Sequence, residues 1–411
     1  MKQFLFSFLF IAPILCVKAQ TENKIVLGTI DSINSGILHE QRKVWVYVPN
    51  SGPNDIYAKQ RYPVVYLLDG DAHFYSVAGM IRQLSSVNGN TICPEMIVVG
   101  IPNTNRTRDL TPTYVNSNLP SIDSDMRKNS GGGEQFISFI EKELIPHIDS
   151  LYPTEPYRVF IGHSLGGLTV INTLIHHTNL FNSYIAIDPS MWWDNQKLLK
   201  QSNSFLSQKK FTGKTLFLVV ANTMRPGMDT MRVVIDTAGA TIHIRSILKL
   251  ANVLKSNPNN ELRWNWKYYN EDDHGSVPLI GEYDALHFIF DYYKISQFAN
   301  LADSSFKADS AVLAHFTNVS KQMGFMVLPP ESFVNGLGYA YMQNKMFDKS
   351  FVFFKMNITN YPQSFNVYDS MGDFYDAKGD TKKAIEYYTK ALTIKDLPDT
   401  REKLNKLKAK K

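Results

Sequence analysis

Six consecutive residues, Gly162-His163-Ser164-Leu165-Gly166-Gly167, have the types and spacing of a serine nucleophile set on a sharp turn. Side chains two residues before and two residues after the serine would collide in so tight a turn, and glycine at both places removes the collision. Ser164 is then held at the tip in strained backbone, with its hydroxyl presented. The chemistry this points to is acyl transfer. The serine attacks a carbonyl, and the N–H of Leu165, opening the next helix, donates to the oxyanion that forms. A serine hydroxyl needs a base. Of the ten histidines, His274 in Asp273-His274-Gly275-Ser276 stands on a loop between the last apolar run and a helical stretch, where such a base belongs. His163 sits inside the turn and reads as structural. The acid that would orient the imidazole is sought on the loop 221–229. Asp229 is the first choice there. Asp188, after the preceding apolar run, competes with it, and Asp236 is the next acid along. A second oxyanion donor is expected at Asp69-Gly70-Asp71, where Gly70 lets the backbone approach and the Asp71 N–H donates. His73, just beyond, is a candidate substrate contact. No HExxH and no clustered His/Cys spacing is present, so neither a metal nor a cofactor is expected.

The elements that must position these residues alternate along 25–295. Short apolar runs at 43–48, 63–68, 96–101, 158–161, 184–187, 216–220 and 262–269 read as strands. Between them, Phe136, Ile137, Ile140, Leu144, Ile145 and Ile148 recur at helical spacing, and 168–175 continues as a helix behind the serine. Continuous apolar strands separated by helices predict an α/β fold, a mainly parallel sheet covered on both faces. Ligands bind such sheets beyond the carboxyl ends of the strands. The polar stretch 102–133 is predicted to form a wall or lid there. Arg106 and Arg108 within it are candidate contacts for an anionic substrate, with ion pairs to local carboxylates as the alternative. Trp192 and Trp193 are candidate pocket walls.

The ends of the chain differ from this middle. Residues 1–19 carry an early lysine, an apolar run and small residues before Gln20, the pattern of a cleavable export signal. The expected location is therefore periplasmic or extracellular. Without Cys16 the chain keeps one thiol, Cys93, which reads as buried and inert. At the other end, a shift of 34 residues lays Gly338 on Gly372, Tyr341 on Tyr375, Ser350 on Ala384 and Phe354 on Tyr388. This resembles two tetratricopeptide repeats over 333–398. Two repeats are few to stand alone, so the stretch 296–332 is expected to be a helical linker against which they pack. A protein partner for the repeats is a further expectation.

Composition excludes other classes. The 411 residues are 44 % hydrophobic and 20 % charged with a net charge of +5, and no basic block stands out before the last few residues. A nucleic-acid binder would concentrate its basic residues on one face. No stretch after the first twenty residues is long and apolar enough to span a membrane.

The segments 65–70, 103–112, 162–167, 189–193 and 273–275, read together, resemble the putative esterase family of α/β-hydrolases, which includes esterase D-like enzymes and siderophore trilactone esterases. The resemblance covers about 25–295. The segments around Arg106–Pro112 and Trp192-Trp193 are closest to the siderophore-esterase branch. It implies an α/β-hydrolase domain followed by a small all-α repeat module, Ser164 as nucleophile, His274 as base and a small-molecule ester as substrate. A carbohydrate acetyl or feruloyl ester, an acyl transfer to a sugar, and a catalytically idle platform for the repeats are the competing readings.

Overall fold

The computed structural model describes residues 25–49, 56–115, 122–295 and 306–409. The export signal expected at 1–19, Cys16 and residues 296–305 of the expected linker lie outside the described residues. Eight strands form one sheet: β1 (Thr29–Ser35), β2 (Glu40–Tyr47), β3 (Tyr62–Leu68), β4 (Ile97–Ile101), β5 (Thr154–His163), β6 (Ser183–Ile187), β7 (Thr215–Ala221) and β8 (Arg263–Tyr269). Their order is β1-β2-β4-β3-β5-β6-β7-β8. β1 and β2 pair antiparallel, as do β2 and β4, and every other neighbour is parallel. Seven strands fall on the apolar runs of the sequence. The eighth, β1, escapes a hydrophobicity reading because it is a polar edge strand whose Ile30 is exposed.

Alternation along each strand divides the interior in two. Tyr62, Val64, Tyr66 and Leu68 of β3 pack with Tyr184 and Ala186 of β6 and Leu216, Leu218 and Val220 of β7 on one face. Val65 and Leu67, Ile185 and Ile187, and Phe217 and Val219 pack on the other. Around the sheet the helices are α1 (Gly70–Ser85), α2 (Arg106–Asp109), α3 (Ser124–Asn129), α4 (Gly133–Phe139), α5 (Ile145–Leu151), α6 (Leu165–His176), α7 (Trp193–Gln208), α8 (Thr230–Ile235), α9 (Ile242–Lys255) and α10 (Val277–Ile289). The single helix expected over 134–148 is α4 and α5 joined through a wider turn at Ile140–Leu144. Cys93 is fully buried, and that burial pushes its thiol up to about 12.

The C-terminal part is helical throughout: α11 (Ala308–Met323), α12 (Glu331–Gln343), α13 (Phe347–Asn360), α14 (Phe365–Ala377), α15 (Thr381–Ile394) and α16 (Pro398–Ala409). The 34-residue shift has a physical basis. A Cβ on Gly338 would lie 2.7 Å from the Phe354 ring, and one on Gly372 would lie 2.5 Å from the Tyr388 ring. Glycine and aromatic therefore recur together, because the aromatic of each second helix seats on the bare backbone of the first. Ser350 and Ala384 are fully buried at the matching position.

α11 joins the two parts. Its Val312 and Phe316 pack with Val334, Leu337, Tyr341 and Phe353 of the repeats. One and two turns later, Val319 and Met323 join the core on one face of the sheet. A second tie is polar. The buried Glu331 carboxylate accepts from the Ala58 N–H (2.7 Å) with one oxygen, and from Ser364 Oγ (3.0 Å) and Asn366 Nδ2 (2.9 Å) with the other. Among the buried polar groups without a partner, one is a whole carboxylate. Glu282 on α10 is 1 % exposed, and neither carboxylate oxygen has a hydrogen-bond partner.

Candidate active site

The turn at Ser164 has the shape its glycines foretell. A Cβ on Gly162 would sit 2.4 Å from the Gly166 carbonyl oxygen, so any other residue would force the turn open. Ser164 stands between β5 and α6 at φ 61°, ψ −114°, a conformation L side chains rarely adopt. The end of β6 clamps it there. The Ser164 N–H donates to the Ile187 carbonyl (2.9 Å), and the Ser190 N–H donates to the Ser164 carbonyl (3.0 Å). The hydroxyl's partner among the described residues is Ser190 Oγ, at 3.3 Å.

Two helix starts meet beside this serine. α6 begins at Leu165 and α1 at Gly70, and a Cβ on Gly166 would lie 3.3 Å from Asp69 Oδ2. The first amides of a helix have no partner within it, so the Leu165, Gly70 and Asp71 N–H groups bring donors to this corner. Asp69 between them is buried and held in left-handed backbone (φ 51°). Arg106 grips it with two bonds, Nε at 2.6 Å and Nη2 at 2.9 Å, and Asn103 Nδ2 adds a third at 2.7 Å. Burial works to raise the Asp69 carboxyl, but the Arg106 guanidinium outweighs it and keeps the group below its ordinary range.

His274 lies in the loop before α10. Its Nδ1 is 2.6 Å from Asp188 Oδ2. Asp188 follows β6 and is fully buried, and the Ala221 N–H donates to its other oxygen (2.9 Å). Burial pushes this carboxyl up, yet the hydrogen bonds from His243, His274 and Ala221 hold it well below the usual carboxylate range. An ionised carboxylate only accepts, so the Nδ1 of His274 carries the proton and its Nε2 is left as the basic nitrogen.

The carboxylate that the structure brings to His274 is therefore Asp188, the competitor weighed in the sequence, and Asp229, the first choice there, is not brought to it. Asp229 is exposed and caps α8, accepting from the N–H groups of Met231 (2.9 Å) and Arg232 (2.7 Å). Asp236 closes the same helix and accepts from Thr241 Oγ1 (2.7 Å). Replacing Asp229 by alanine is expected to weaken α8 locally and to leave hydrolysis within about twofold, as for an exposed residue away from the chemistry; steady-state rates on an activated ester check it.

Two residues here had no role in the sequence reading. Ser190 is one. The other is His243 on α9, whose Nε2 lies 2.7 Å from the same Asp188 oxygen that His274 uses. Nothing in sequence spacing links position 243 to 188 or 274. The ring of His163, inside the turn, lies 4.5 Å from that of His274, tilted 41° to it, and the ring of His73 lies 5.9 Å from that of His163. Burial depresses both imidazoles, His163 to about 4, so His163 is uncharged at neutral pH.

Other candidates are bound up elsewhere. Arg108 pairs with Glu40 through two bonds (3.1 and 2.7 Å) and with Asp109 (2.7 Å), the ion-pair arrangement given as its alternative. Arg106 reaches the site, but its guanidinium is committed to Asp69 and to the His163 carbonyl (3.3 Å). Trp193 is buried, and its Nε1 donates to the Thr113 carbonyl (3.1 Å), anchoring the wall segment from behind. It lines a cavity of about 420 Å³ with Leu168, Asn172 and His176, along α6, and Ser164 is not among the lining residues. Trp192 is half-buried beside it.

The family profile described as putative esterase matches residues 35–274, from the end of β1 to the histidine paired with Asp188. The chain belongs to the putative esterase family. A tetratricopeptide repeat profile matches 365–396, which is α14 and α15. Among curated proteins, this esterase-family chain is 33 % identical over 169 residues to the ferri-bacillibactin esterase BesA of Bacillus subtilis, covering 39 % of this chain and 58 % of that protein. It is 30 % identical over 155 residues to the siderophore enterobactin esterase of Emericella nidulans, covering 35 % and 51 %. The chain thus spans about half the length of these curated relatives. Among solved structures, an IroE-like serine hydrolase from Shewanella oneidensis superposes with a TM-score of 0.67 at 30 % identity, over 80 % of this chain and 98 % of that one. A protein from Capnocytophaga ochracea shares the fold over 93 % of this esterase-family member and 99 % of its own length (TM-score 0.58, 18 % identity).

Proposed function

We propose that this protein is an exported serine esterase whose triad is Ser164, His274 and Asp188, acting on esters of the siderophore type. The observation that carries the reading is the 2.6 Å contact of His274 Nδ1 with the buried Asp188 carboxylate, in the corner that holds the strained Ser164. Ser164 Oγ attacks the ester carbonyl as His274 Nε2 takes its proton. The Leu165 and Asp71 N–H groups donate to the oxyanion. His274 then protonates the departing alkoxide, and water, activated by the same imidazole, releases the acid from the acyl-enzyme. Catalytic hydrogen bonds are often loose before substrate arrives, which accommodates a serine turned toward Ser190.

The siderophore assignment is supported by the names of the relatives from Bacillus subtilis and Emericella nidulans. Export is supported by the pattern at 1–19, and a mature chain beginning at Gln20 on N-terminal sequencing of the secreted protein would bear it out. The repeats are proposed to dock a protein partner.

The deciding experiment is intact-mass analysis after exposure to a fluorophosphonate, beside Ser164→Ala. One adduct on the natural protein and none on the variant is the expected pair of results. An unlabelled natural protein would sink the serine mechanism. An ester panel with siderophore trilactones, feruloylated sugars and acetylated sugars then ranks substrates by kcat/KM.

A further inference from the structure

Asp188 Oδ2 is shared by two imidazoles, and this sharing is more than the triad needs. His274 Nδ1 lies 2.6 Å from it and His243 Nε2 lies 2.7 Å from it. The two rings stand nearly perpendicular, with centroids 5.0 Å apart. The three ligating atoms all lie within 4.8 Å of one another. The three residues come from separate elements: the end of β6, the first turn of α9 and the loop before α10. One face of the group is open, with the His274 side chain 41 % and the His243 side chain 18 % exposed.

A carboxylate and two imidazoles are the ligand types of a divalent zinc site, with bonds of about 2.0–2.2 Å. Tetrahedral geometry at those lengths sets ligand atoms about 3.3 Å apart. Each imidazole nitrogen would therefore move out from Asp188 by only about 0.6 Å. The second oxygen of Asp188 stays fixed by the Ala221 N–H, the kind of outer support that orients a ligating carboxylate.

We propose that Asp188, His243 and His274 form a zinc-binding site which, when loaded, switches off the ester-cleaving centre. The proton balance explains the switching. Zinc takes the lone pair at His274 Nδ1, so the ring proton moves to Nε2. At His243 it takes the lone pair at Nε2, and the proton moves to Nδ1. No proton is lost overall, but His274 now presents an N–H toward Ser164 in place of a lone pair and cannot act as base. The metal is an inhibitor here and has no part in turnover. The inhibition rests on the serine mechanism proposed above, whereas the binding does not.

The test uses the full chain and cobalt(II) as a coloured stand-in for zinc. Cobalt should give the visible bands of a four-coordinate site that saturate at one equivalent. Zinc should bleach them, and ester hydrolysis should fall in step with zinc and return with a chelator. His243→Gln keeps an N–H for Asp188 but offers no ligand nitrogen; it should lose the bands and raise the zinc inhibition constant at least about tenfold. His243→Cys restores a ligand and should regain the bands. Circular dichroism and metal-free fluorophosphonate labelling show that each variant is folded. Absent four-coordinate bands, or equal bands and equal inhibition in His243→Gln, would overturn the site. Bands without loss of hydrolysis would overturn the switching. A metal-free protein that fails to label at Ser164 counts against the serine mechanism instead, and the cobalt spectrum still decides the binding.

Discussion

Asp188→Asn is expected to lower kcat/KM on an activated ester by about a thousand- to ten-thousand-fold while leaving the fold intact. The carboxylate accepts on both sides: from the Ala221 N–H with one oxygen, and from two imidazoles with the other. Asparagine has one oxygen to give. Turned to Ala221, it aims its NH2 at His274, which must then accept at Nδ1 and carry its proton on Nε2, where the base is needed. Turned the other way, it sets a buried donor against the Ala221 N–H, at a cost of about 1–3 kcal/mol. The backbone is no obstacle, because Asp188 has φ 40° and asparagine accepts left-handed backbone. Rates near those of the natural protein, with an unchanged melting curve, would remove Asp188 from the triad.

The second large effect concerns stability. Burial pushes the carboxyl of Glu282 up to about 8, with no neighbouring charge to offset it. An unfolded glutamate titrates near 4.3. Between these values the folded state binds more protons than the unfolded one, so the group costs stability as pH rises through that window. Glu282→Met removes the titration. The stability of the variant relative to the natural protein should grow by about 1.4 kcal/mol per pH unit between pH 5 and 8, on the order of 4 kcal/mol in all. Urea unfolding at a series of pH values measures it. A difference that stays flat with pH would mean that Glu282 is solvated or paired when ionised.

The nucleophile turn and the histidine loop were legible because each is local. Glycine spacing fixes the turn within six residues, and Asp273-His274-Gly275 stands alone between a strand and a helix. The carboxylate beside the imidazole was legible only as one of two places, after β7 or after β6, because the sheet order that sets β6 beside β5 and brings its end to Ser164 is not local. Asp229 carried a warning of its own. An aspartate just before a short apolar stretch is an N-cap signal, and that is the bond it makes. His243 lies 55 residues from its partner on a helix with no special spacing, so only the fold could bring it in. The arginines had two readings in the sequence, substrate contacts or ion pairs to local carboxylates, and the structure shows ion pairs to buried carboxylates at positions 69 and 109. In the repeats, by contrast, pairing glycine with aromatic is a contact between adjacent helices, and a shift of 34 residues was enough to find it.

The helix α11 has a bearing on how this chain can be taken apart. The family match ends at residue 274, and a tidy catalytic fragment would stop soon after α10. The physical seam lies farther on, because Val319 and Met323 belong to the core on one face of the sheet, while Val312 and Phe316 of the same helix belong to the core of the repeats. A fragment cut at residue 295 would lose Val319 and Met323 from the sheet's core. The repeats cut free would lose the helix on which their first pair rests. Neither half is a transferable cassette: a graft, a tag or a protease site placed between them belongs after Gly324, where the chain leaves α11, and even there it separates two bodies that share a wall.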